Sequence, residues 1–455
     1  MSKFLHVGLL LSVLTLIFDL VSPLPVDALS NQLLVSQKFG WRIYTPSVHG
    51  YKISMVSATD GWILAFSGMS ATVYQWDGNN WKNAGNLTHT QYIVRGDIHM
   101  VSSTDGWIGL GGALGGSDDL AESVIYHWNG SKWSQFATLT DPNAVSISAI
   151  DMVSPSDGWA TAAFNFGSHF YHWDGNSWQK LASIWLPNTP DRDIDMVSSD
   201  DGWAVGNGIA HWNGTSWTLV SNPVDTTLNS VSMVSNSIGW AVGGGFNSNT
   251  WEDDPAVILQ WDGTQWTEVN CPITNELNSV TMISANDGWS VGNDGAILNW
   301  EGSSWTKVNS PTTADLFEVT MVSASDGWIT GNGGTLRYEV IPSLAINFTA
   351  GAPGSYFTFT GIDFPANDTA TISVNGHELG TVPTNTNGEF GFFFSTTNAD
   401  EGAYYVTANV NPSATTRFTL DSHDQVHPQE GTGTVFEVPA GIAFTNIINL
   451  PFILR

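Results

Sequence analysis

Residues 321–331 read MVSASDGWITG: an apolar stretch, an Asp-Gly pair and a second apolar stretch. Alternating apolar and small polar residues around an Asp-Gly pair are typical of a tight β-hairpin. Similar copies recur along the chain, and their Gly-Trp pairs lie 37 to 52 residues apart, with tryptophans at Trp62, Trp107, Trp159, Trp203, Trp240, Trp289 and Trp328. The chain therefore contains seven repeats of one hairpin-containing unit.

Six of the units carry a second motif, such as YHWNGSKW at 126–133. The seventh ends at LRYEV, 336–340, where Tyr338 takes the position of the first tryptophan. The rest of that unit matches GWRIYTP at 40–46, which includes Trp41. The two ends of the repeat region thus complete one repeat.

A repeat of about 40 to 50 residues with four short strand signals is typical of a β-propeller. Splitting one unit between the ends of the region favours a closed ring. We therefore predict an all-β chain with a seven-bladed β-propeller over residues 37–341, closed by N- and C-terminal strands. The repeated tryptophans are expected to pack between neighbouring blades.

Beyond Pro342 the repeat ends, and stretches such as YFTFTG at 356–361 alternate apolar and polar residues. This alternation predicts a small β-sandwich over residues 343–420. Its opening, GAPGSYFTFTGIDFPAN at 351–367, resembles bacterial immunoglobulin-like modules, which implies a spacer or adhesive unit. Residues 421–455 are expected to be a polar linker and an apolar tail. The tail is either an extra strand on the sandwich or a recognition tail.

Acidic residues outnumber basic ones by 42 to 13, a net charge of −29, which excludes nucleic acid as a probable partner.

Residues 1–28 combine Lys3, an apolar run to Phe18 and a small-residue site at Ala28, as in a secretory signal peptide. A retained anchor is the alternative, but Asp19 ends the run short of a bilayer span. We expect a secreted or cell-surface protein with no membrane span after cleavage.

The repeats of this chain, with motifs of the DGWAVG and HWNGTSW type, resemble the repeats of bacterial propellers related to the photosystem II assembly factor. More loosely, they resemble the Asp-box (BNR) repeats of sialidases. The Asp-box likeness is approximate, because Asp77 precedes Trp81 by four residues instead of five. The resemblance implies a propeller fold far more strongly than an activity.

The loops after the Gly-Trp strands vary most, with long versions at 111–123, 164–170 and 243–255 against GNDG at 292–295. These loops share one face of the predicted ring, which we call the loop face, and a ligand is expected there. Binding candidates on this face that stand outside the repeat pattern are Trp185, Trp251, Asp253 and Asp254.

The residue before the repeated Met of the innermost strand is ionisable in three consecutive repeats, as His99, Asp151 and Asp195. Residues just upstream add Arg95, Asp97, Arg192 and Asp193 as binding candidates. Such groups could bind a cation or sugar hydroxyls, or support acid/base chemistry. The simpler interpretation, which we favour, is a solvated channel lining with local ion pairs.

The sequence has no His/Cys metal spacing, nucleophile elbow or phosphate-binding glycine loop, so we expect no metal and no cofactor. We favour a binding or scaffold protein that recognises a glycan or a protein partner on the loop face. Two alternatives stay open. One is a glycan-active hydrolase or lyase using His99, Asp151 and Asp195, and the other is an extracytoplasmic assembly factor for a membrane complex.

Overall fold

The computed structural model describes residues 38–45, 47–113, 122–139, 146–164, 167–185, 192–247, 252–410 and 413–444. This part of the chain is all-β, as predicted, with 37 strands and one 3-10 turn at Asn293–Gly295. The strands of the repeat region are β1 (Lys38–Thr45), β2 (Lys52–Ser57), β3 (Asp60–Ser67), β4 (Ser70–Trp76), β5 (Trp81–Thr88), β6 (Tyr92–Ser102), β7 (Asp105–Ala113), β8 (Ser123–Trp128), β9 (Trp133–Leu139), β10 (Ser146–Ser154), β11 (Asp157–Phe164), β12 (Gly167–Trp173), β13 (Trp178–Trp185), β14 (Asp193–Ser198), β15 (Asp201–Val205), β16 (Ile209–Trp212), β17 (Trp217–Val220), β18 (Leu228–Ser235), β19 (Ile238–Asn247), β20 (Glu252–Trp261), β21 (Trp266–Val269), β22 (Leu277–Ser284), β23 (Asp287–Gly292), β24 (Ile297–Trp300), β25 (Trp305–Lys307), β26 (Leu316–Ser323), β27 (Asp326–Gly331) and β28 (Gly334–Ile341).

These strands form seven four-stranded sheets in chain order. Sheets 1 to 6 are β2–β5, β6–β9, β10–β13, β14–β17, β18–β21 and β22–β25, and sheet 7 is β26–β28 with β1 beside β28. The first strand of each sheet contacts the first strand of the next, and β26 contacts β2. The seven first strands, which we call the inner strands, therefore follow one another as the innermost strands around the channel of a β-propeller do.

The Gly-Trp pair is explained by packing against the inner strand. A methyl group at Gly61 would lie 2.2 Å from Sδ of Met55, and the equivalent distance in the other six sheets is 2.1 to 2.3 Å. The Met side chain therefore occupies the space that a larger residue than glycine would need. This contact links the repeated Met to the repeated Gly in every sheet.

The repeated tryptophans pack between neighbouring sheets, which confirms that prediction. Trp107 of sheet 2 lies 4.8 Å from Trp173 of sheet 3, centroid to centroid, and Trp159 of sheet 3 lies 4.6 Å from Trp212 of sheet 4. The indole of the second motif also donates a hydrogen bond to the inner hairpin turn, as Trp173 Nε1 does to the Pro155 carbonyl at 3.0 Å. Both motifs are therefore accounted for by the scaffold.

Residues beyond the repeats form two further sheets around one core. Their strands are β29 (Ser343–Ile346), β30 (Ala350–Gly351), β31 (Tyr356–Ile362), β32 (Thr369–Val374), β33 (His377–Pro383), β34 (Phe390–Ser395), β35 (Gly402–Asn409), β36 (Ala414–Leu420) and β37 (Val435–Glu437). The sheet orders are β29-β31-β34-β37 and β30-β36-β35-β32-β33. Phe359 and Phe392 of the first sheet pack with Tyr404 and Phe418 of the second.

The tail joins this second region. Strand β37 pairs in parallel with β34, and Phe444 forms a bridge with Ala403. His427 stacks on Phe348 with the ring centroids 3.8 Å apart. The last part of the expected apolar tail, residues 445–455, lies outside the described residues, as does the expected signal peptide.

Candidate functional site

Two layers of inner-strand side chains line the channel, because alternate residues of a strand face the same side. The residue just before the repeated Met gives the His99 layer, which consists of Ser54, His99, Asp151, Asp195, Ser232, Thr281 and Thr320. The residue three positions before the Met gives the Lys52 layer, which consists of Lys52, Asp97, Ala149, Asp193, Ser230, Ser279 and Glu318. Ionisable groups are concentrated in sheets 1 to 4 and sheet 7.

In the Lys52 layer one ammonium group serves several carboxylates. Lys52 Nζ lies 3.2 Å from Glu318 Oε1 and 3.7 Å from Asp97 Oδ1. Burial lowers the pKa of Lys52, but the carboxylates of Asp97, Glu318 and Asp193 outweigh it, so the pKa is raised. Burial raises the pKa of Glu318 to about 7, although Lys52 opposes this shift. The layer therefore holds one buried cluster in which a single ammonium group, that of Lys52, faces the carboxyl groups of Asp97, Asp193 and Glu318.

The His99 layer brings the three candidate catalytic residues together. His99 Nδ1 lies 2.8 Å from Asp151 Oδ1. Burial lowers the pKa of His99, but the Asp151 carboxylate outweighs burial and raises it. Burial and then the neighbouring Asp151 carboxylate raise the pKa of Asp195 to about 8. This layer therefore places the His99 imidazole beside two carboxyl groups, those of Asp151 and Asp195, and the pKa of Asp195 is raised.

The same carboxylates are also hydrogen-bonded to the backbone of the next inner strand. Asp151 Oδ2 accepts from the Met196 N–H at 2.7 Å, and Asp195 Oδ2 accepts from the Met233 N–H. In the other layer, Asp97 accepts from Ile150 and Asp193 from Val231, both at 2.9 Å. These side chains therefore join neighbouring sheets, which is a structural use of the groups that sequence reasoning assigned to a ligand or to catalysis.

The same positions are neutral in other sheets and make the same contact. Ser54 Oγ accepts from the Met100 N–H at 2.9 Å, and Ser232 Oγ accepts from the Met282 N–H at 3.0 Å. A hydroxyl is thus sufficient to join two inner strands. The hydrogen bond between neighbouring inner strands therefore does not require the charged side chains that occupy these positions in sheets 2 to 4.

Two arginines lie near the start of inner strands of sheets 2 and 4, on the loop face. Arg95 lies in β6 and donates to Ser148 Oγ at 3.2 Å, while Arg192 precedes β14. Burial, and then the positive charge of Arg192, lower the pKa of Arg95 to about 10. Burial also lowers the pKa of Arg192, and Glu276 opposes that shift. The two predicted arginines therefore form a cationic patch, which we call the Arg95–Arg192 patch.

The remaining candidates lie apart from the inner strands. Trp185 is the last residue of β13, the outermost strand of sheet 3. Asp253 and Asp254 lie in β20 and pair with Phe246 and Gly245 of β19, in a hairpin that extends from the middle of sheet 5. Trp251 lies outside the described residues.

Lys52 and Glu318 were missed as site residues. The prediction compared the seven residues just before the repeated Met, whereas these two lie three positions before it. Comparing the seven residues at that position across the repeats would have shown one lysine and three acidic residues among small residues. Residues one and three positions before the Met face the same side of the strand, because side chains alternate with a period of two residues. This periodicity would have directed attention to the second set of ionisable residues.

Sequence reasoning also missed a recurrent pair on the opposite face of the ring, which carries the Asp-Gly turns and which we call the turn face. The Asp of the turn and the His before the second-motif Trp lie 2.7 Å apart in sheets 2, 3 and 4, as Asp105–His127, Asp157–His172 and Asp201–His211. In sheet 7, Arg337 and Asp326 take these positions at 3.2 Å. The pair ties the outer hairpin to the inner one.

Among the described residues, no group of three or more His, Cys, Asp or Glu side chains has an arrangement suited to a metal ion. In the same part of the chain, no helix has the length and hydropathy that a membrane span requires.

No protein-family model and no curated protein matches the chain. Solved structures similar to it include YCF48 bound to D1 peptide, at 17% identity and a TM-score of 0.49, with 67% of this chain and 97% of that chain covered. YCF48 from Cyanidioschyzon merolae shares 12% identity at a TM-score of 0.48, covering 66% and 98%. The WD40 β-propeller domain of Doa1 shares 11% at 0.49, covering 66% and 96%.

Proposed function

We propose that this chain is a non-catalytic binding protein whose partner docks on the loop face, over the mouth of the channel. The observation that carries the proposal is the placement of Arg95 near the start of β6 and of Arg192 just before β14, both at the loop-face ends of inner strands, and the charge of Arg192 adds to burial in lowering the pKa of Arg95. Like charges held near one another cost free energy, so the arrangement is expected to be retained for a ligand.

The composition makes this patch distinctive. The whole chain has 13 basic residues against 42 acidic ones, yet two arginines meet at one end of the channel. Guanidinium groups bind carboxylate, sulfate and phosphate groups through paired N–H donors. The partner that fits is therefore a glycan or a protein segment that presents an anionic group.

The contacts of His99, Asp151 and Asp195 favour binding over catalysis. Both carboxylates accept a backbone N–H from the next inner strand, and the second oxygen of Asp151 pairs with His99. A general base needs an oxygen that is free to reach a substrate, and both oxygens of Asp151 are already occupied. We therefore propose binding ahead of the glycan-active enzyme, which would have to rely on Asp195.

We also propose a closed seven-bladed propeller followed by an immunoglobulin-like module. The ring of contacts between inner strands supports the first assignment. Tyr404 supports the second: its hydroxyl donates to the Asp400 carbonyl at 2.6 Å, four residues upstream, as in the tyrosine corner of immunoglobulin-like sandwiches.

Export to the cell surface is part of the same proposal and rests on the sequence of residues 1–28. An exported binding protein with an appended sandwich suits attachment or scaffolding outside the cell. An assembly role for a membrane complex is compatible with it if the retained partner is a membrane protein.

The test is retention of the purified protein on acidic and neutral polysaccharides, cell-wall fractions and solubilised membrane proteins, with released sugar assayed in the same tubes. We expect retention without sugar release, falling as salt is raised, because the contact is ionic. The Arg95→Gln/Arg192→Gln variant is expected to lose retention. Arg417→Gln, a substitution at an exposed arginine of the second region, is the matched control.

Retention that survives the double substitution would refute the loop-face proposal. Sugar release that is abolished by Asp195→Asn would instead establish the enzyme. Retention on acidic polysaccharide or on membrane protein identifies the class of partner.

A further inference from the structure

A cleft of about 720 Å³ opens on the turn face between sheets 4 and 5. Trp203 and His211 of sheet 4 form one wall and Trp261 of sheet 5 forms the other. The centroid of Trp203 lies 4.3 Å from that of His211, with the rings 26° apart, and 4.6 Å from that of Trp261 at 54°. The cleft lies on the face opposite the Arg95–Arg192 patch.

The same three-ring arrangement occurs between sheets 2 and 3. Trp107 lies 4.2 Å from His127 at 32° and 4.8 Å from Trp173 at 55°. There, however, an aromatic side chain of sheet 2 fills the space. Phe136 contacts Trp107 at 5.1 Å and Trp173 at 5.2 Å, with its ring at 81° and 84° to them. Phe136 therefore shows what kind of group this arrangement accepts.

Sheet 7 repeats the solution with a different residue. Tyr44, which like Phe136 is three residues after the fourth-strand Trp, contacts Trp328 at 5.1 Å and Trp76 at 5.5 Å, again edge to face. Sheets 2 and 7 thus each place an aromatic ring edge-on against the equivalent pair of tryptophans. This geometry adds to the favourable free energy of burying the ring.

Sheet 4 lacks such a cap, as do sheets 5 and 6, because its last strand pairs without a bulge. In sheet 2 the pairing steps from Tyr126–Gln135 to Ile125–Ala137, so Phe136 is a bulged residue. In sheet 4 the pairing runs without a step from Trp217 to Val220, and Val220 packs into the core. Trp261 is left half-buried, whereas its equivalents Trp76, Trp128, Trp173, Trp212 and Trp300 are at most 9% exposed.

We propose that this cleft binds an aromatic side chain from a basic segment of a protein partner. The ring would take the place that Phe136 takes between sheets 2 and 3. The basic character follows from charge: the Asp200 carboxylate is exposed at the rim, and the chain as a whole carries a net charge of −29. The site is independent of the loop-face proposal.

The test uses the full chain and phenethylamine, which combines an aromatic ring with a cation, titrated by ligand-observed NMR. Cyclohexylethylamine carries the same charge without the aromatic ring. We expect phenethylamine to bind one site about fivefold more tightly, the value of one edge-to-face contact. Trp261→Leu is expected to abolish this preference.

Because Trp261→Leu could fail to fold, Phe136→Ala gives an independent arm. Phe136 is 45% exposed, and its removal should open an equivalent cleft between sheets 2 and 3. The stoichiometry of phenethylamine binding is then expected to rise from one to two. Equal binding of the two amines, unchanged stoichiometry in Phe136→Ala, or binding of methyl glucoside in place of phenethylamine would overturn the proposal, and the last result would assign the cleft to a sugar.

Discussion

Asp151 of sheet 3 accepts a hydrogen bond from the backbone N–H of Met196 in sheet 4 at 2.7 Å, while its other oxygen lies 2.8 Å from His99 of sheet 2. One carboxylate thus connects three consecutive sheets. Asp151, which the sequence offers as a catalytic residue only under the enzyme alternative, therefore joins neighbouring sheets in the structure.

Asp151→Ala is therefore expected to destabilise the ring. The Met196 N–H would lose its acceptor and His99 its counter-ion, at a cost of about 2–4 kcal/mol in the free energy of unfolding. The measurement is denaturant unfolding followed by tryptophan fluorescence. Asp151→Asn keeps an acceptor oxygen and should recover part of the loss.

Ser54→Ala is the matched control, because Ser54 makes the same joint with Met100 through a neutral hydroxyl. A loss of about 1 kcal/mol is expected there. If the two alanine variants lost equal stability, the charge of Asp151 would contribute nothing to the joint.

Asp195 predicts a pH dependence of stability. Its pKa is raised to about 8 in the folded protein by burial and by Asp151, above the ordinary value of an unfolded aspartate. The folded state then binds the extra proton, so this contribution to stability is present at acidic pH and is lost as pH rises toward 8.

Asp195→Asn removes this titration and keeps an oxygen for the Met233 N–H. Between pH 5 and pH 8 the variant should gain stability relative to the wild type, by about 1 kcal/mol or more. The measurement is the unfolding midpoint of both proteins across that range. A difference between them that is constant with pH would show that Asp195 is already ionised.

Lys52 holds the carboxylates of Asp97 and Glu318. Its replacement by methionine should cost about 3 kcal/mol or more, since the buried carboxylates lose their cation. Thermal unfolding of Lys52→Met measures this, and Lys52→Met/Glu318→Gln should recover part of it. In the control Lys82→Met, which removes an exposed partner of Asp77, little change is expected.

The repeat could be predicted from sequence because its constraints are local and occur seven times. Pairs such as Gly61 and Met55, or Trp107 and Trp173, recur at equivalent positions of successive repeats. The repeat pattern of the sequence therefore indicates which residues are in contact. Repetition also hid function. The Asp of each Asp-Gly pair is explained by the turn alone in the sequence, although the Asp105 carboxylate also pairs with His127.

Sites that depend on contacts between sheets were not predictable in the same way. Arg95 and Arg192 are 97 positions apart, and the sequence does not say that their charges meet. The cleft beside Trp261 required even more, because the greater exposure of Trp261 than of its equivalents appears only in the folded structure. A missing cap becomes visible only when the capped version can be compared with it.

The contact between Gly202 and Met196 gives the last prediction. A methyl group at Gly202 would lie 2.3 Å from Met196 Sδ, so Gly202→Ala overpacks the interface between the first two strands of sheet 4 and should cost about 1–3 kcal/mol. Met196→Ala leaves a cavity and should cost about 2–4 kcal/mol. Because the added methyl enters space that the Met vacates, the double variant is expected to be more stable than the sum of the single losses predicts. A double-mutant cycle from denaturant unfolding measures the coupling, and additive losses would contradict the role assigned to glycine in every repeat.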